Sequence, residues 1–283
     1  MRRLRYTVID VFTDTALAGN QLAVFTDARD LDPLTMQHLA RETNLSETVF
    51  VLPAQADGAD VRIRIFTPYA ELQFAGHPTL GSAFVLGGPL QAMLLRLETG
   101  AGIVPVELQR EGPRIVFGWM EQPVPTWEPF EREGDLLAAL GLEAATAPVE
   151  VYDNGVRMVM VGVASVDELV ALEPSFNALG RVASDRGTVC FARRDGGWKV
   201  RMFAPGLGVT EDPATGSAAG PLAVHLARHG RTSFGDEIEI EQGVEIRRPS
   251  TLHAQAEGSS EAIERVRVGG SAVIVARGEF AIP

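Results

Sequence analysis

The sequence predicts an α+β protein made of two similar, mostly β halves, each carrying one helix of small residues. Three observations lead there. The first is an internal repeat. His77-Pro78-Thr79-Leu80-Gly81-Ser82-Ala83 aligns without a gap on Asp212-Pro213-Ala214-Thr215-Gly216-Ser217-Ala218, and upstream Arg64-Ile65-Phe66-Thr67-Pro68 matches Arg201-Met202-Phe203-Ala204-Pro205. The offset, about 135 residues, is near half the chain and sets the scale of the architecture. The second is that short β-rich runs bounded by turn residues dominate both halves. The third is the composition of the segments after the matched heptads. They are rich in Gly, Ser and Ala and almost lack the Glu, Lys and Gln of solvent-facing helices, so a wrapped sheet can enclose them closely.

In order, Arg5–Val11 reads as a strand, Gly19-Asn20 as a turn and Gln21–Thr26 as a strand. Asp32-Pro33 opens a helix over Leu34–Glu42, with Asp as N-cap and Pro at the first helical position. Thr48–Pro53 and Asp60–Phe66 are strands. The first small-residue helix, Thr79–Leu86, is stopped by Gly87-Gly88-Pro89. Leu94–Glu98, Val104–Gln109 and Arg114–Trp119 complete the half. Three prolines between Glu121 and Pro129 mark a stiff connector. The second half has a short helix at Asp135–Leu140 and strands at Ala147–Tyr152 and Met158–Val163. A capping box, Ser165-Val166-Asp167-Glu168, precedes Leu169–Leu172. Strands at Thr188–Arg193 and Trp198–Phe203 lead to the helix Ala214–Arg228, opened by Asp212-Pro213 and ended by Gly230. Glu237–Gln242, Glu245–Arg248, Leu252–Glu257, Arg265–Val268 and Ala272–Gly278 are strands. The expected domains are residues 1–120 and 126–270.

The bulk numbers agree with this reading. A chain of 283 residues is long enough for two cores, and 46 % apolar with 22 % charged residues is ordinary for a globular protein. A net charge of −12 argues against a nucleic-acid partner, which would call for clustered Lys and Arg. The lone Cys190, within an apolar run, rules out an intrachain disulfide and fits a reducing compartment. No segment has signal-peptide shape or transmembrane length, so a cytoplasmic protein without a membrane partner is expected.

The matched heptads open with unlike ionisable residues, His77 and Asp212, which suggests an active site between the halves. Helix N-termini present unpaired N–H groups and the positive end of the dipole. If the two copies face each other across a pseudo-twofold axis, both N-termini favour a small anion such as a carboxylate. Capping alone is the competing account of Asp212, and packing that of His77. Glu47 stands before Thr48-Val49, which falls on Thr188-Val189, so Glu47 aligns with Gly187. A carboxylate that the second copy replaces with Gly is not needed to build the strand, which favours a functional Glu over a solvated one. In an apolar cleft it would suit proton transfer near neutral pH. His225 and His229 have a metal-ligand spacing, but no acidic third ligand is near in sequence, so no metal site is expected. Gly206-Leu207-Gly208 lacks the rest of a dinucleotide loop, and Gly-x-Ser-x-Gly is absent.

Ile9-Asp10-Val11-Phe12-Thr13, Gly19–Val24, Asn44–Thr48, Phe66-Thr67-Pro68, Gly76–Gly81 and Glu211–Ala218 together resemble the PhzF-type family of phenazine biosynthesis, in the family's order and over almost the whole chain. The resemblance implies the diaminopimelate-epimerase-like fold: two pseudo-symmetric domains, each a β-barrel around a central helix, with the last strand, 271–283, completing the first. It implies a cofactor-free isomerase, often a homodimer, and a founding activity that moves a proton from C3 to C1 of trans-2,3-dihydro-3-hydroxyanthranilate. By position, Glu47 matches the acid/base carboxylate. His77 and Asp212 match residues lining the substrate site, and Gly76, Ser46, Gly216 and Ser217 fall in substrate-binding segments. Related epimerases carry a Cys at each helix N-terminus. Here His77 and Asp212 stand there, which disfavours inversion by paired thiolates and fits one carboxylate that removes a proton and returns it elsewhere.

The expected function is therefore a cofactor-independent proton shift on a small carboxylate-bearing substrate. Epimerisation of an amino-acid derivative, or ligand binding without catalysis, are the alternatives. A hydrolase or lyase lacks a nucleophile pattern.

Overall fold

The computed structural model describes residues 2–282. The chain divides into two compact units. One takes the chain up to Glu121 together with the segment from Gly269; the other takes Gln122–Val268.

The first unit contains β1 (Arg2–Val11), β2 (Asn20–Phe25), α1 (Pro33–Thr43), β3 (Glu47–Leu52), β4 (Val61–Phe66), β5 (Glu71–Leu72), α2 (Gly76–Leu90), β6 (Leu94–Thr99), β7 (Gly102–Glu111) and β8 (Arg114–Gln122). The second contains β9 (Thr126–Pro129), α3 (Glu133–Leu140), β10 (Glu150–Asp153), β11 (Arg157–Gly162), α4 (Val166–Val170), α5 (Phe176–Val182), β12 (Gly187–Arg194), β13 (Gly197–Ala204), β14 (Val209–Asp212), α6 (Gly216–Arg228), β15 (Glu237–Gln242) and β16 (Ser250–Gly258). β17 (Ile263–Gly270) follows, and β18 (Ala272–Ile282) returns to pair antiparallel with β1.

Strand pairing repeats from one unit to the other. β1 and β2 are antiparallel, β2 and β3 parallel, β3 and β4 antiparallel, β4 and β6 parallel, β6 and β7 antiparallel. The run β10, β11, β12, β13, β15, β16 has the same sequence of orientations. Register follows too. Leu22 faces Glu47 and Thr48 faces Phe66 in the first unit; Met158 faces Gly187 and Thr188 faces Phe203 in the second. The duplication extends to an ion pair. Arg64 makes a two-pronged pair with Glu71 and lies over the Phe66 ring; Arg201 does the same with Glu211 and Phe203.

Each unit is an α+β domain in which a barrel-like sheet wraps one central helix. α2 packs on β1, β2, β3, β6, β7 and β18, and its residues Gly76–Val85 are all buried. In α6, Gly216–Ala227 are all buried. Small residues permit this. A Cβ on Gly81 would stand 2.7 Å from Val11 Cγ2 and 2.8 Å from Leu22 Cδ2. Beside the wrapped helix, the first unit has an aromatic core under α1, where Phe25 stacks on Phe50 and Phe50 meets Phe66 edge-on. The second packs α3, α4 and α5 over Val159, Val161, Cys190 and Phe203.

Several boundaries differ from the sequence reading. α2 begins at Gly76 and runs through Gly87-Gly88-Pro89, because its last carbonyls find other donors: Gln91 N–H to Gly88, and Ala92 N–H with the Arg110 guanidinium to Gly87. α6 begins at Gly216 rather than Ala214, and Asp212 is the last residue of β14, not its cap. The segment 245–248 forms no strand; residues 244–247 are a turn, with Arg247 at φ 60°. The proline-rich connector contains β9, paired with β10. α5 is a helix that the sequence pattern does not mark. Asp32 and Ser165 do cap their helices, accepting from Thr35 N–H and Glu168 N–H.

Gly81→Val should lower stability by about 1–3 kcal/mol in urea unfolding, since the strands must give way to the new methyls. Gly88→Ala, on the exposed side of the same helix with open space around it, should instead raise stability by roughly 0.5–1 kcal/mol.

Candidate active site

In the first unit the structure brings Glu47 and His77 together. Glu47 opens β3, a strand held on both sides by β2 and β4, so it is not on an edge. Ser46 precedes it in a bend. Gly76 is the first residue of α2 and His77 the second. His77 Nε2 lies 3.4 Å from Glu47 Oε2, with side chains only 5 % and 17 % exposed. Burial lowers the His77 imidazole to about 3, and a hydrogen bond with the Gln21 backbone opposes this only in part. The ring is therefore neutral at ordinary pH, and the pair is a carboxyl group against a neutral imidazole rather than a salt bridge. The spacing is too long for a well-formed hydrogen bond, and among the described residues Nε2 has no hydrogen-bond partner.

In the second unit Asp212, Gly216 and Ser217 gather at the start of α6. Thr215 is the N-cap residue by position, but its side chain does not cap the helix. Its hydroxyl donates to Asp212 Oδ2 at 2.5 Å and accepts from Gln242 Nε2 at 2.9 Å. The Gln242 amide also donates to the Asp212 carbonyl at 2.8 Å and accepts from Thr215 N–H at 3.2 Å. One turn on, Pro221 removes the N–H that would serve the Ser217 carbonyl. Asn154 Nδ2 donates to that carbonyl at 3.0 Å, and Gln122 Nε2 to the Gly216 carbonyl at 2.8 Å. Sequence reading missed Thr215, Gln242, Asn154 and Gln122. Only Thr215 left a trace there, as the hydroxyl that replaces Leu80 in the matched heptad.

At the far end of α6, β10 brings Glu150 to His225 and His229, supplying the acid that sequence proximity did not. Its Oε2 lies 2.9 Å from His229 Nε2, 3.3 Å from His225 Nδ1, 2.9 Å from the Tyr152 hydroxyl and 2.8 Å from Arg228 Nη1. Burial alone would raise this carboxyl, but hydrogen bonds from His225, His229, Arg228 and Tyr152 outweigh it and hold it well below the usual range. Burial, then the Glu150 charge, pushes the Tyr152 phenol far up. Arg228, stacked 4.1 Å over Trp127, supplies the cation of this network, which ties the end of α6 to β10. Cys190 is fully buried, and burial pushes its thiol up to about 12, so it is neither nucleophile nor base at neutral pH.

The sequence profile of the phenazine biosynthesis-like (PhzC-PhzF) family matches residues 9–278. The trans-2,3-dihydro-3-hydroxyanthranilate isomerase of Pseudomonas aeruginosa is 53 % identical over 97 % of this chain and 98 % of its own length. Among solved structures, the PhzF-family phenazine biosynthesis protein of Bacillus anthracis superposes with a TM-score of 0.86 at 27 % identity, covering 100 % of both chains. A hydroxyproline epimerase from Agrobacterium vitis, 14 % identical with a TM-score of 0.69 over 98 % of this chain and 92 % of its own, shares the fold.

The neutral imidazole has a pH consequence. An unfolded chain protonates His77 near 6.5, the folded one only near 3, so between these values the unfolded state binds more protons. The contribution to stability is complete above 6.5 and is lost as pH falls toward 3. In an NMR titration the His77 ring should show no protonation step from pH 8 down to about 4.5; a midpoint above 6 would contradict the neutral assignment.

Proposed function

This chain belongs to the PhzC-PhzF, phenazine biosynthesis-like family, and from that membership we propose that it isomerises trans-2,3-dihydro-3-hydroxyanthranilate in phenazine biosynthesis, with Glu47 as the acid/base. It is an isomerase of the PhzF type. The buried contact of Glu47 with a neutral His77 carries the mechanistic reading. Glu47 removes a proton from the acidic carbon and returns it along the conjugated system. A neutral imidazole can accept a hydrogen bond from the carboxyl once it holds that proton and the two groups close the 3.4 Å gap between them. His77 and Asp212 orient the ring substituents and assist tautomerisation of the product. The backbone N–H groups of Gly216 and Ser217 open a helix whose N-cap side chain is committed elsewhere, which supports their holding the substrate carboxylate, with Gly76 and Ser46 as further substrate contacts.

The reading includes a cytoplasmic homodimer that needs no cofactor. Among the described residues no helix is long and apolar enough to cross a membrane, and a light-scattering mass twice that of the chain is the expected result for the dimer.

Glu47→Gln should leave the circular dichroism spectrum unchanged and lower kcat by more than about 10²-fold. Wild-type protein should also wash solvent deuterium into the product, and the variant should not. Retention of most of the activity by Glu47→Gln would remove Glu47 from the acid/base role, and turnover without deuterium exchange would point to a shielded proton rather than an open one.

A further inference from the structure

We propose that Thr215 and Gln242 are positioning residues that hold the Asp212 carboxylate in its working orientation. The proposal rests on the reading of Asp212 as a substrate-site residue. Its physical basis is how the chain enters α6. The Asp212 carbonyl and the Thr215 N–H are three residues apart, the pair that closes a turn. Here the primary amide of Gln242 stands between them, donating to the carbonyl at 2.8 Å and accepting from the N–H at 3.2 Å. The turn is held open by a side chain that imitates a peptide group. Asp212 stays extended, paired with Met202 on β13, instead of joining the helix. The remaining N–H of the Gln242 amide goes to the Thr215 hydroxyl at 2.9 Å, so that oxygen is an acceptor on one side and must turn its proton to Asp212 Oδ2 at 2.5 Å. Every donor and acceptor in this chain is assigned, and with Oδ2 fixed the plane of the carboxylate is fixed. Gln242 is 2 % exposed and Thr215 6 %, so water does not compete.

The first unit lacks the device. Val61 faces Leu97 as Trp198 faces Ile240, which puts Thr99 at the place of Gln242. Thr99 is too short to reach across, and its hydroxyl bonds the Gly102 carbonyl. Thr215 is matched there by Leu80. Without an inserted amide, the aligned His77 lies inside α2. The lock is thus present where the heptad opens with Asp and absent where it opens with His.

Steady-state kinetics on trans-2,3-dihydro-3-hydroxyanthranilate with four variants test this. Asp212→Asn should lower kcat/KM by about 10²-fold or more. Thr215→Val, which keeps shape and loses the hydroxyl, should lower kcat about tenfold with KM changed less than about threefold, and should lower the urea midpoint modestly, since the Gln242 N–H and the Asp212 oxygen lose their partner. The acidic limb of its kcat/KM profile should move to higher pH, because a carboxylate has lost a donor. Thr215→Ser should restore kcat to within about threefold of wild type. Gln242→Met should reproduce the kinetic loss of Thr215→Val with an added fall in stability, since two backbone groups are orphaned. Wild-type kinetics and pH profile in Thr215→Val, alongside a collapsed Asp212→Asn, would overturn the positioning role and leave Asp212 in place. Wild-type activity in Asp212→Asn would overturn the reading of Asp212 and the proposal with it. A loss in Thr215→Val that Thr215→Ser fails to restore would also overturn it, marking a packing role instead.

Discussion

A helix enclosed by its own sheet must let strands approach closely on several sides and can leave no backbone group unpaired, and much of this protein follows from that. α2 and α6 approach their strands through Gly, Ala and Ser, as where Val11 and Leu22 close over Gly81. Satisfying the backbone is the harder condition. Pro221 would strand the Ser217 carbonyl in an apolar interior, at a cost of about 1–3 kcal/mol, and Asn154 answers it from β10's end of the unit. Helices pinned in this way fix their first turns, and Gly76, His77, Gly216 and Ser217 belong to those turns.

The two copies keep what the enclosure needs and diverge at the positions proposed to carry the chemistry. The Arg64–Glu71 and Arg201–Glu211 pairs are preserved with their aromatic partners, so they belong to the scaffold. Glu47 and Gly187 occupy the same register but differ in what surrounds them. A Cβ on Gly187 would stand 2.6 Å from Met158 Sδ, and Met202 closes the other side. Thioether side chains fill the volume that a second carboxylate would require. The loss of symmetry is therefore steric as well as chemical: this copy cannot gain a Glu without moving two buried side chains.

The same contrast explains what the sequence made legible. Repeat, strand order and Glu47 could be read because they depend on local pattern and on a gapless alignment. The helix starts could not. Gly76-His77-Pro78 and Gly216-Ser217-Ala218 begin helices at different points of the matched heptad, because Gln242, some thirty residues away, holds one turn open. Pro89 looked like a stop, yet Arg110 from β7 supplies a donor at the helix end. Glu150 joined His225 and His229 only through the placement of β10 against α6. In each case a polar side chain remote in sequence decided the matter, and periodicity carries no record of such partners.

On the proposed reading of Glu47 as the acid/base, the ionisation states of His77 and Cys190 remove both as a second proton carrier. An epimerase that inverts a centre needs two groups able to hold the transferred proton, one on each face. His77 cannot serve as the second, because burial keeps it neutral down to about pH 3 and charging it in place would cost the desolvation of an imidazolium. Cys190 cannot, since its thiol is buried and pushed up to about 12. Neither residue can store the proton taken from carbon. A neutral imidazole can still accept a hydrogen bond, and so favours the protonated form of Glu47, the form that abstraction would produce on the proposed reading. With those two excluded, the proposed role of Glu47 is that of a carboxyl group that takes a proton from one carbon and returns it to another. That is the requirement of an allylic or dienol shift, the reaction proposed above, whereas inversion at a single centre would need a second carrier other than His77 or Cys190.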